Sequence, residues 1–129
     1  MDYSELFARV RDEIGVPLKI VGVGGGNDAI HGRLDSGHWL VITDADDFLS
    51  DAAARCESEQ DGYPLGWFVG VYENDSASYG VDYPASHAEG GCLAYAQDDD
   101  ATIGDLPRVI REALGELSEH VRHCCGAGR

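Results

Sequence analysis

Three short strand-like runs lie close together near the front of the chain, and their spacing constrains the fold more than any other feature. Leu18-Lys19-Ile20-Val21-Gly22-Val23, Ala29-Ile30-His31-Gly32-Arg33-Leu34 and Trp39-Leu40-Val41-Ile42 are rich in residues that favour extended backbone. Between them stand only Gly24-Gly25-Gly26-Asn27-Asp28 and Asp35-Ser36-Gly37-His38. A parallel crossover needs a dozen or more residues, so links this short dictate an antiparallel meander. Gly66-Trp67-Phe68-Val69-Gly70-Val71-Tyr72-Glu73 is a further strand, apolar on both faces and therefore central. Ala77–Tyr83 alternates and should form a hairpin with it, and Cys92–Ala96 is a last short strand.

Helical patterns bracket these strands. Asp2 is a good N-cap with Glu5 three positions on. Tyr3, Leu6, Phe7, Val10 and Ile14 follow on one face, and Gly15 and Pro17 end the run. Near the other end, Thr102 and Asp105 have capping-box spacing. Leu106, Val109, Ile110, Ala113, Leu114, Leu117 and Val121 then form the cleanest amphipathic stripe in the chain. A middle helix is expected through Phe48, Leu49, Ala52, Ala53 and Cys56, capped by Asp46 or Asp47 and broken at Asp61-Gly62-Tyr63-Pro64. The expected fold is α+β. It has a mostly antiparallel sheet of five to six strands, with the N- and C-terminal helices packed on one face. No repeat or linker divides residues 1–129, so one domain is expected.

Charge narrows the function classes. The chain carries a net −15. Residues 56–107 hold eleven Asp and Glu but no Lys or Arg. That sign repels nucleic acid and anionic membranes, so neither is an expected direct partner. A segment with no base of its own stays solvated or meets a cationic partner. Asp44, Asp46 and Asp47 follow one strand, Glu73 and Asp75 follow another, and Asp98, Asp99 and Asp100 follow a third. If those strand ends share one edge of the sheet, the acids form one surface, with Tyr79 and Tyr83 as aromatic anchors. The alternative for each cluster is a set of solvated loop carboxylates and helix caps.

The chain order, the acidity and the amphipathic last helix resemble class I type III secretion chaperones in general shape and charge. Gly24-Gly25-Gly26-Asn27-Asp28-Ala29-Ile30-His31 is similar to the glycine-rich ADP-ribose loop of macro domains. That resemblance implies that Gly24, Gly25 and Gly26 approach phosphates through their backbone N–H groups. A flexible turn is the other reading, since a strand follows and not a helix.

Remaining motifs are weaker. His120-Val-Arg-His123-Cys124-Cys125 offers zinc-ligand chemistry, but adjacent cysteines cannot easily share one ion with a neighbouring histidine. Neither acidic cluster fits the EF-hand pattern. Ser86-His87 and Cys92 lack a recognisable nucleophile pattern around them, and His31, His38 and His87 could each serve as a base, although a single histidine on a strand is more often a packed or surface residue. No catalytic residue, metal or cofactor is therefore expected. The N-terminus lacks a signal-peptide pattern and no run is long enough to span a bilayer. Cys56, Cys92, Cys124 and Cys125 then read as free thiols in a reducing, cytoplasmic setting. The favoured expectation is a non-enzymatic acidic module that binds a basic protein surface. Such a module could be an inhibitor of phage or plasmid type that mimics nucleic-acid charge against a nucleic-acid-binding protein, or an immunity-type or chaperone-type binder. The alternative is a small nucleotide- or ADP-ribose-binding protein or enzyme using Gly24–His31. A homodimer is compatible with either.

Overall fold

A computed structural model describes residues 1–73 and 92–120. In chain order these form α1 (Tyr3–Ile14), β1 (Leu18–Gly24), β2 (Asn27–Arg33), β3 (Trp39–Thr43), α2 (Ala52–Gln60), β4 (Trp67–Tyr72), β5 (Cys92–Asp98) and α3 (Leu106–His120). A 3-10 turn, Ile103–Asp105, leads into α3. The five strands make one sheet in the order β1-β2-β3-β4-β5, every neighbouring pair antiparallel. This is the α+β architecture expected from the sequence.

Local chemistry explains the element ends. The Asp2 carboxylate accepts from the Glu5 N–H at 2.8 Å, and Gly15 closes α1 in a left-handed conformation. Asp105 Oδ2 accepts from the Thr102 N–H at 2.9 Å, which fixes the entry to α3. The link between β1 and β2 is only Gly25-Gly26, with φ of 64° and 78°. Two consecutive positive φ values are what a tight hairpin turn demands, and glycine adopts them without a Cβ clash.

The helices pack on one face of the sheet. Alternate residues Leu40 and Ile42 of β3, and Trp67, Val69 and Val71 of β4, meet Leu6 and Val10 of α1. Leu106, Val109, Ile110 and Ala113 of α3 complete that core. Each such buried side chain contributes roughly 1.5–3 kcal/mol relative to exposure. Trp67 Nε1 donates to the Thr102 carbonyl at 2.9 Å, tying β4 to the start of α3. On the opposite face Ala29, Val41 and Tyr72 form a second cluster with Val23 against it, and among the described residues no helix residue belongs to it. Every residue of β4 is buried, as its two-sided apolar sequence requires.

Two expectations need correction. The middle helix starts at Ala52, with Asp51 as its cap (Ala54 N–H to the carboxylate, 2.8 Å), and not at Asp46 or Asp47. The reason is Asp44, whose side chain binds Ser50 and Arg55 and holds residues 44–50 as a loop. The neighbours of β4 are β3 and β5. The expected strand Ala77–Tyr83 lies outside the described residues, as does the tail after His120.

Candidate functional site

The antiparallel register decides which acids meet. Thr43 pairs with Phe68, and Phe68 pairs with Gln97. The chain therefore leaves β3 into Asp44–Asp47 at the same end of the sheet where it leaves β5 into Asp98–Asp100. The β1–β2 turn lies at that end too, because Ile30 pairs with Ile42 and β2 runs away from it. Glu73 does not join them. It follows Tyr72, which pairs with Trp39 at the far end of β3. A six-residue strand separates the two ends by roughly 20 Å. The expected single acidic edge is thus confined to the Asp44–Asp47 and Asp98–Asp100 runs. Asp75, Tyr79 and Tyr83 lie outside the described residues.

Within the two runs the carboxylates divide by role. Asp44 is only 4% exposed, and it is not a surface charge. Its Oδ2 accepts from Ser50 Oγ at 2.6 Å, and its Oδ1 from the Ser50 N–H at 3.1 Å and from Arg55 Nη1. Arg55 is fully buried. Its Nη2 donates to the Gly66 carbonyl, and its guanidinium carbon lies 3.6 Å from the centre of the Trp67 ring. A buried arginine needs a carboxylate, a carbonyl and an aromatic face together, because its desolvation costs several kcal/mol otherwise. Tyr3 packs near by with its hydroxyl donating to the Ser50 carbonyl, and burial pushes its phenol well above the usual range.

Asp98 faces the helix layer. Arg108 Nη2 of α3 donates to it at 2.7 Å, and the Asp100 N–H donates to its other oxygen at 3.0 Å. These donors, Arg108 foremost, hold its carboxyl below the usual value. Asp46, Asp47, Asp99 and Asp100 remain exposed, and none takes part in an ion pair among the described residues. Asp47 Oδ1 accepts from the Phe48 N–H at 2.7 Å, and Asp99 Oδ1 accepts from Gln97 Nε2 at 2.9 Å.

Beside the Asp44–Asp47 run, on the sheet face opposite the described helices, lies a cavity of about 340 Å³. Its floor is Val41, Phe68 and Tyr72, and its walls are Thr43, Gln97 and the Asp44–Phe48 loop. Gly70 sits between Phe68 and Tyr72 on the same face. A Cβ there would stand 2.7 Å from the Tyr72 ring and 3.0 Å from the Phe68 ring. Its missing side chain is what lets both rings close over the strand. This volume falls within the range of small-ligand sites, roughly 300–1,000 Å³.

Sequence reasoning named the acids but missed Arg55 and the aromatic floor. The spacing Phe68-x-Gly70-x-Tyr72 was the available signal: two aromatics on one strand face, flanking a glycine. The buried Arg55 left a subtler trace, as the last base before a long stretch without any.

Other expected chemistry finds less geometry. Gly24–His31 is a hairpin with no helix after it, so it lacks the converging N–H groups of a helix N-terminus. His31 is buried, edge-on to Trp39 with ring centres 6.4 Å apart. His38 Nδ1 lies 2.7 Å from Ser36 Oγ. Cys56 is half-buried, its Sγ 3.5 Å from the Met1 carbonyl. Among the described residues no group of three or more His, Cys, Asp or Glu is placed to hold a metal ion, and no helix is long and apolar enough to cross a membrane. Compared with protein-family models, curated proteins and solved structures, the chain matches none of them.

Proposed function

We propose that this protein is a non-enzymatic, cytoplasmic acidic module that binds a basic protein surface through one end of its sheet. The observation that carries the proposal is the grouping of Asp46, Asp47, Asp99 and Asp100 at that end, exposed and outside every ion pair among the described residues. Four such carboxylates, with Asp46 and Asp47 lining a cavity, combine long-range attraction with a contact surface. A partner that ordinarily meets nucleic-acid phosphates would find the same sign of charge here. An inhibitor or antagonist of such a partner is the function this arrangement suits best.

The test is capture of proteins from a lysate at low and at high salt, by wild type and by a variant with Asp46, Asp47, Asp99 and Asp100 changed to Asn. Partners lost both at high salt and with the variant support the proposal. Partners that survive both changes overturn it.

A further inference from the structure

We propose that the edge strand β1 takes up an extended acidic segment of a partner protein as an added strand. The inference is independent of the acidic end, because β1 begins at the other end of the sheet. Lys19 pairs with His31, and Arg33 pairs with Trp39, the first residue of β3, whereas Asp44 follows the last.

Among the described residues β1 has one neighbour in the sheet, β2. Lys19 and Gly22 are exposed, and Ile20 is 45% exposed although its partner Ile30 is fully buried. The backbone groups along such an edge are a template for another strand. A bulge between Gly22 and Gly24 interrupts the ladder, so the regular stretch is residues 18–22. Its two sides differ. Leu18 and Ile20 share the helix side with Ile30, and a cavity of about 170 Å³ lies between α1 and the start of β1. Ser4, Phe7, Ala8, Arg11, Pro17 and Leu18 line it. Lys19 stands on the other side of the sheet, diagonal to Arg33 of β2.

Charge chooses the occupant. Arg9, Arg55, Arg108 and Arg111 each hold a carboxylate. Arg11, Lys19 and Arg33 are in no ion pair among the described residues. All three belong to one corner: Arg11 at the cavity, Lys19 in the strand, and Arg33 next to Gly32, the partner of Leu18. In a chain where acids outnumber Lys and Arg by 24 to 9, bases grouped without acids leave a place for carboxylates from outside. A lysine and a bulge on an edge strand also oppose pairing with a second copy, which would bring like charges together. The same lysine favours a strand that carries carboxylates. Alternation then sorts the incoming side chains. Apolar ones lie beside Leu18, Ile20 and the cavity, and acidic ones lie beside Lys19.

The experiment is amide chemical-shift mapping of the full chain with three capped hexapeptides: alternating Glu and Val, alternating Lys and Val, and the Glu-Val sequence with a central proline. The expected result is shifts at residues 18–22 and at Phe7 and Ala8 with the Glu-Val peptide alone. General attraction to a chain of net −15 would rank the Lys-Val peptide first, so the order of binding at β1 separates a built edge from overall charge. Proline removes a backbone donor and breaks the added strand. Lys19→Glu should weaken the Glu-Val peptide by about tenfold or more, and Lys19→Gln by less. Lys19 is exposed, so both variants keep the fold. Stronger shifts at β1 with the Lys-Val peptide overturn the inference, as do Glu-Val shifts that survive Lys19→Glu or a central proline. Shifts at residues 18–22 that grow with protein concentration alone assign the edge to a second copy and overturn it too. So does the absence of shifts there with the Glu-Val peptide at millimolar concentration.

Discussion

Replacing Asp44 by Asn gives the sharpest test of how the acidic end is built. The substitution keeps the shape of the side chain and an acceptor for the Ser50 N–H, but removes the charge opposite Arg55. Arg55 is fully buried, so its guanidinium cannot turn to water. Breaking one side of a buried pair costs about 3–5 kcal/mol, because the surviving charge is uncompensated. Arg55→Met leaves the opposite orphan. Asp44 then keeps its two bonds from Ser50, so the expected loss is smaller, about 2–3 kcal/mol. The double variant carries no orphan charge and should lie within about 1–2 kcal/mol of wild type, since a buried pair and an apolar replacement are often nearly equivalent. The coupling between the two sites is therefore at least about 2 kcal/mol. Urea denaturation followed by circular dichroism measures it. With a slope of about 2 kcal/mol per M, Asp44→Asn should lower the midpoint by about 1.5–2.5 M. A single variant within about 1 kcal/mol of wild type would refute the reasoning, and so would a double variant equal to the sum of the singles.

Gly66→Ala should cost at least about 2 kcal/mol, read from the same denaturation curves: φ is 73° there, and a Cβ would meet the Asp98 carbonyl at 2.5 Å. Asp98→Asn should change how stability depends on acidity. Arg108 holds the folded carboxyl below its ordinary 3.8, so the pair's contribution is complete above that pH and is lost as pH falls through the lower folded value. The gap in melting temperature between wild type and Asp98→Asn should close in strong acid and be full at neutral pH; a gap unchanged across that range would contradict the linkage. Millimolar ADP-ribose should leave the melting temperature unchanged, because Gly24–His31 is a hairpin without a helix N-terminus. A dose-dependent rise would restore the nucleotide-binding reading.

The strands and both terminal helices were legible because period and spacing alone decide them. Trp39–Ile42 and Trp67–Tyr72 are unbroken apolar runs, and the short links around Gly25 and Gly37 allow only antiparallel neighbours. The grouping of the acids was only half legible. Counting strands shows that β3 and β5 end together only once their place beside β4 is known. The same antiparallel alternation sends Glu73 to the other end. Asp44 was misread because a carboxylate just past a strand looks exposed. Its burial depends on Arg55, eleven residues later, with no periodic pattern to announce the pair. The start of the middle helix was lost for the same reason, since Asp46, Asp47 and Asp51 are all competent caps and the Asp44–Ser50 bonds choose among them. The cavity needs Phe68, Tyr72 and the Asp44–Phe48 loop together, and tertiary packing alone brings the loop to the strand.

The most direct measurement of the central claim compares two variants of equal net charge binding one short arginine-rich peptide, by calorimetry at a single ionic strength. One variant changes Asp46 and Asp47 to Asn at the cavity rim. The other changes Asp12 to Asn and Glu116 to Gln, both exposed on the helix layer. Binding at the acidic end of the sheet predicts a loss of about tenfold or more for the first and under about twofold for the second. Equal losses would show that only the overall charge attracts the peptide, and would contradict a built site at this end of the sheet.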